Sequence, residues 1–167
     1  YEKSIEFYKK VLTFDNSSEE KYISCIQIFE QYEHLKREEE GIHYLVESFR
    51  YNKRRLEGIY RLIKYYSGRG MHEVSYAYYS LIQNYYETAS PQDHVSNNLF
   101  VKKEEYDFYL PYYMIIVSER LKKMDTFIKM YQMIFAQDYR HASEWWIHNL
   151  FYNLQFGIAH LPPDLGF

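Results

Sequence analysis

The amino-acid sequence predicts an all-helical fold made of antiparallel helix pairs. Three observations carry that expectation. Glycine and proline are scarce, 6 and 4 among 167 residues, so few positions call for turn geometry or break a helix. Apolar residues recur at the three- and four-residue spacing that lines one face of a helix. Two stretches, opening at Tyr22 and at Leu56, repeat a helix-pair pattern 34 residues apart.

The elements follow in order. Ile5, Tyr8, Val11 and Leu12 predict a first helix from Tyr1 to about Phe14, broken by Asp15-Asn16-Ser17-Ser18. Ser18, followed by Glu19 and Glu20, reads as the N-cap of a second helix with acids in its first turn. That helix carries Tyr22, Ile26, Phe29 and Tyr32 and ends near Lys36. A third starts near Glu38 and a fourth near Arg54, the latter ending at Gly68-Arg69-Gly70. A fifth runs from about Met71 to Thr88. The stretch 89–104 reads as a loop insertion with a short extended segment at Leu99-Phe100-Val101. A sixth helix starts near Glu104 or Tyr106, or properly at Leu110, because proline is tolerated in a first turn and Pro111 lies there. A seventh covers about Asp125 to Gln137 and an eighth about Ala142 to Gln155. The tail from Pro162 is not helical. Opening at Tyr1 already in helical pattern, the chain reads as one helical domain, 1–167, cut from a longer protein.

Composition narrows the function. The hydrophobic fraction is 47% and the charged fraction 26%, which fits a folded domain with a core and excludes a disordered chain. Mean hydropathy is -0.57, and the longest apolar run, Phe108 to Val117, is far below the ~20 residues of a membrane helix. No membrane insertion is expected. A formal net charge of -3 lacks the basic footprint of a nucleic-acid domain. The single cysteine, Cys25, excludes an internal disulfide and suits a reducing, cytoplasmic setting. Tyrosine is abundant, 21 residues, and gives helices large buried area with a polar tip.

The 34-residue spacing matches the tetratricopeptide repeat, a helix–turn–helix unit of ~34 residues. From Tyr22, Cys25, Ile28, Phe29 and Tyr32 take positions 4, 7, 8 and 11; Gly41, Leu45 and Ser48 take 20, 24 and 27. From Leu56, Ile59, Leu62, Ile63 and Tyr66 take the first four, and Ser75, Tyr79 and Ile82 the rest. Small residues belong where helices approach closely, and Gly41, Ser48 and Ser75 obey this. Phe29, Ile63 and Ile82 do not, so the repeats are degenerate. A third unit is expected from Asp107, with Leu110 at position 4 and Thr126 at position 20. Stacked pairs of this kind form a right-handed superhelix. An irregular bundle with chance spacing is the competing reading.

No constellation of catalytic residues stands out. The seven histidines include no His-Glu-x-x-His, and Cys25 sits at a packing position. No Ser stands in a Gly-x-Ser-x-Gly elbow, and no Asp-x-Asp offers a divalent ion a seat. Glu38-Glu39-Glu40 and Glu104-Glu105 read as solvated first turns that favour the helix dipole. No catalytic, cofactor or metal residue is expected, and the chain is read as non-enzymatic. A solenoid binds on its concave side, lined by the first helix of each pair. Inward positions then offer Glu30 and Glu33 from one unit and Glu57, Tyr60 and Lys64 from the next as a mixed groove. Such a groove suits a partner peptide or a neighbouring protein domain; ordinary solvated residues are the plainer alternative.

One stretch bears a family likeness. Arg55-Leu56-Glu57-Gly58-Ile59-Tyr60 continues to Tyr66, Gly70 and Tyr76-Ala77-Tyr78; Leu99-Phe100-Val101 and Tyr106-Asp107-Phe108-Tyr109 follow. This resembles the tetratricopeptide-like region that follows a family 2 glycosyltransferase domain in bacterial and giant-virus proteins. The likeness spans roughly Glu20 to Phe135, with Phe108 where that region often has Trp. It implies a non-catalytic domain accessory to a glycosyltransferase, one that positions the catalytic domain, an acceptor or an assembly partner. The family's catalytic residues lie in the transferase domain and have no counterparts here. Arg55 and Glu57 match the motif and are expected to serve packing and ion pairing. A general protein-interaction module is the alternative.

Overall fold

The computed structural model describes residues 1–88, 101–137 and 143–158. Among them all regular structure is helical: α1 (Glu2–Thr13), α2 (Ser18–His34), α3 (Glu38–Tyr51), α4 (Glu57–Ser67), α5 (His72–Ser80) and α6 (Gln83–Thr88) come first. A π-helical turn (Glu105–Tyr109) then leads into α7 (Leu110–Arg120), followed by α8 (Met124–Phe135) and α9 (Glu144–Gly157). The expected insertion at 89–104 and the non-helical tail fall almost wholly outside the described residues.

Several boundaries differ from the expectation, each for a local reason. Ser17, not Ser18, caps α2, because only Ser17 has a glutamate three residues on. Its hydroxyl accepts from the Glu20 N–H while the Glu20 carboxylate accepts from the Ser17 N–H. The fourth helix begins at Glu57, since the Arg54 N–H is engaged by the Asn52 side chain in a turn. The expected fifth helix is interrupted by a turn at Leu81-Ile82, giving α5 and α6. Before Pro111 the helix widens into the π turn, in which the Leu110 N–H reaches the Glu105 carbonyl. Glu105 is buried there while Glu104 is exposed, so only half of that acid run is solvated as expected.

The chain divides into two compact units, Tyr1–Leu62 with Ser80–Lys102, and Ile63–Tyr79 with Lys103–Phe167. In the first, Ile5 of α1 packs with Ile28 and Tyr32 of α2, flanked by Tyr8, Leu12, Leu35 and Tyr44. Helix α3 returns antiparallel to α2. A Cβ on Gly41 would lie 3.0 Å from the Tyr32 ring and 3.2 Å from Phe29, while Cys25, at the other end of α2, feels Glu47. Next, α4 begins against α3 at Gly58, whose absent Cβ would fall 2.4 Å from the Ser48 hydroxyl.

The second unit has an aromatic and methionine core of Tyr79, Tyr106, Met114, Phe127, Met130, Tyr131 and Ile134, all fully buried. The Ser75 hydroxyl donates to the Ile63 carbonyl at 3.1 Å, joining the end of α4 to α5. The Tyr131 hydroxyl donates to the Leu150 carbonyl at 2.9 Å, joining α8 to α9. Gly157 lies close against the tip of the Phe127 ring, leaving no room there for a Cβ.

Three helix-ending turns share one hydrogen-bond pattern. Lys36, Gly70 and Lys122 each adopt a left-handed φ, 56°, 74° and 57°. Each N–H bonds the carbonyl three residues back, at Glu33, Ser67 and Glu119. The following N–H reaches back five, from Arg37 to Tyr32, Met71 to Tyr66 and Lys123 to Ser118. Lys36 and Gly70 are 34 residues apart. Counted from these turns, every named packing position of the first two pairs is buried except Tyr66, which is half-buried. Counted the same way from Lys122, the positions fall one residue later than in the unit expected from Asp107. Pro111, Met114, Ile115, Ser118, Phe127, Tyr131 and Ile134 then fill the positions, and all are buried. The Asp107 start leaves Tyr113 and Met133 half-buried at such positions.

Candidate functional site

The first unit contains a concentration of charge that helical periodicity assembles. Tyr22, Ile26 and Glu30 lie four residues apart on one face of α2, and Glu57 and Arg61 likewise on α4. Arg55, in the segment before α4, is 3% exposed, as is Glu57. The Arg55 guanidinium grips Glu57 at 2.6 Å, pairs with Glu19 of α2, and lies 4.6 Å above the Tyr22 ring. The Tyr22 hydroxyl donates to Glu57 at 3.1 Å and accepts from the Gly58 N–H at 3.1 Å. Arg61 donates to the Glu57 carbonyl at 3.1 Å and pairs with Glu30, which also accepts from Lys102 at 3.2 Å.

Together with Ile23, Ile26 and Gln27, the side chains of Glu30, Arg55, Glu57, Arg61 and Lys102 line a cavity of about 90 Å³. Its electrostatics are those of matched ion pairs. Burial would raise the Glu30 carboxyl, but the Arg61 and Lys102 charges outweigh it and hold the group below its ordinary value. Burial, and then the Glu57 charge, pushes the Tyr22 hydroxyl well above its usual range. Burial opposes charge on Arg55, and its hydrogen bond to Glu57 overcomes that cost. Such a network fixes the register of α2 against the start of α4, because an unpaired charge here would cost several kcal/mol.

The predicted groove residues fare differently. Glu57 is buried and ion-paired, and Glu30 borders the cavity in a double ion pair. Glu33 and Tyr60 are half-buried in the same unit, and Lys64 is half-buried in the second unit. Arg61 and Lys102 were not singled out from the sequence. Arg61 stands four residues after Glu57, a spacing that could have flagged it; Lys102 pairs across 72 residues, which leaves no local signal.

Burial pushes the Cys25 thiol up to about 12, so it is a thiol rather than a nucleophilic thiolate at neutral pH. Among the described residues no group of three His, Cys, Asp or Glu could hold a metal ion. None of their helices is long and apolar enough to cross a membrane. The chain matches no family model, no curated protein and no solved structure.

Proposed function

We propose that this chain is a non-catalytic helical-repeat domain accessory to a glycosyltransferase, positioning the catalytic domain, its acceptor or an assembly partner. The observation that carries the repeat reading is the recurring turn at Lys36, Gly70 and Lys122, with buried residues at the same counts around it. Tetratricopeptide-like pairs stacked in a right-handed superhelix account for that recurrence. The glycosyltransferase part rests on the sequence likeness around Arg55 to Tyr66. The acidic and basic side chains of the candidate site are tied to one another, which suits a scaffold more than a reaction centre.

A second reading is a general interaction module binding a partner peptide. The cavity beside Glu30, with Glu33 and Tyr60 half-buried in the same unit, favours it.

The deciding experiment reads the coding frame upstream of Tyr1. A nucleotide-sugar domain with an Asp-x-Asp supports the accessory role. A frame holding only further helical repeats, or turnover of a nucleotide sugar by this chain alone, overturns it.

A further inference from the structure

The cavity of the first unit joins an ion network to an apolar wall. Ile23 and Ile26 line it from α2, and neither takes a packing position of that helix, which fall on Cys25, Ile28, Phe29 and Tyr32. The charged lining is graded by depth. Arg55 and Glu57 are buried, Glu30 is half-buried, and the Lys102 side chain is 57% exposed at the mouth. Glu30 is held from two sides, by Arg61 on one carboxylate oxygen and by the Gln27 amide at 2.8 Å on the other. Lys102 reaches the first of these oxygens at 3.2 Å. That long, exposed pair is the weakest of the set, and it is the contact a ligand exchanges most readily.

We propose that the cavity binds a small zwitterion, a free α-amino acid with a short apolar side chain, inserted between Glu30 and Lys102. Its ammonium takes the place of the Lys102 ammonium on Glu30, and its carboxylate meets the displaced Lys102. Its side chain lies on Ile23 and Ile26. Charge selects this class. A lone anion drawn to Lys102 sits beside the Glu30 carboxylate, and a lone cation drawn to Glu30 sits beside Arg61 and Lys102, so each meets a like charge. A ligand of both signs gives Glu30 and Lys102 an opposite neighbour each and leaves the net charge of the site unchanged. Volume agrees. About 90 Å³ holds roughly six to eight water-sized atoms at ~10–15 Å³ each. That suits alanine or valine and is far below the ~300 Å³ of pockets for drug-sized ligands. The inference goes beyond both readings above, since it needs neither a transferase domain nor a partner chain.

The test is an amide NMR titration of the 167-residue chain with L-alanine and L-valine to ~20 mM, a range that suits so small a ligand. N-acetyl-L-alanine, which lacks the ammonium, and L-alaninamide, which lacks the carboxylate, are titrated beside them. The expected result is saturable shifts centred on Ile23, Ile26 and Arg61 for at least one free amino acid. Both blocked forms should bind at least ~10-fold more weakly, the worth of one charge-assisted contact. Lys102→Met, on an exposed side chain, should weaken binding by a similar factor with the circular dichroism melt unchanged, and Glu30→Gln likewise. No saturable shift with either amino acid overturns the proposal, as does binding that survives Lys102→Met. Equal binding of N-acetyl-L-alanine or L-alaninamide also overturns it and assigns the cavity to the end of a partner peptide. Should Glu30→Gln melt early, Lys102→Met and the blocked amino acids decide alone.

Discussion

The two compact units reach burial by different means. The first takes Arg55, Glu57 and Arg61 out of water and neutralises them with one another and with Glu19, Glu30 and Lys102. The second fills its centre mainly with Tyr, Phe, Met and Ile, its Tyr131 hydroxyl finding the Leu150 carbonyl, and keeps its buried Asp107, paired with Lys103, in the π turn. An ion network tolerates small changes of volume but not the loss of one charge, whereas close-packed rings tolerate the reverse. The contrast therefore sets a unit that relies heavily on pairing beside one that relies mostly on shape.

The largest effect should come from halving a buried pair. Glu57→Leu leaves Arg55 and the Tyr22 hydroxyl short of their partner and should cost about 3–5 kcal/mol. That lowers the thermal midpoint by roughly 10 °C. Adding Arg55→Met should restore most of this loss, because apolar replacement of both partners is often neutral. A double variant as unstable as the single would mean the pair is not what holds this region.

Volume is the matching probe for the second unit. Gly157→Ala places a methyl on the buried Phe127 ring and should cost about 1–3 kcal/mol. Hydrogen exchange should show protection lost in α8 and α9. Gly41→Leu does the same between α2 and α3, at about 1–3 kcal/mol. If both melt like the parent, the close approaches at these glycines are not formed.

Smaller effects sharpen the comparison. Ser17→Ala removes the α2 cap and should cost about 1 kcal/mol in urea unfolding. Acid separates the units by charge. Glu30 titrates below its ordinary value of 4.5, so its contribution is complete above that value and is lost as pH falls through the lower folded value. The urea midpoint should drop in that window, and less so in Glu30→Gln. An equal drop in both would remove Glu30 as a source of acid sensitivity.

Much of the helical content was legible from spacing alone, since amphipathic helices such as α1 and α3 announce their buried faces. Gly41, Ser48 and Ser75 were read as close-approach positions, and all three are buried. The sequence does not choose a register for the third expected unit, because α7 buries residues on adjoining faces. Leu110 and Val117, and also Pro111 and Ser118, are buried. The charge cluster was half legible. Arg55 and Glu57 were expected to pair, yet Glu57 was also placed in a groove. Nothing local in the sequence says that Tyr22, 35 residues earlier, closes over it.

The π turn at Glu105–Tyr109 has a genealogical consequence. Such a turn accommodates one residue more than an α-helix would over the same rise, leaving the faces on either side in phase. Removing one residue there should convert it to regular helix without displacing Met114 or Ser118 from the interior. Related chains, once aligned, should accordingly tolerate a one-residue gap within 105–109, while gaps inside α7 or α8 should be rare.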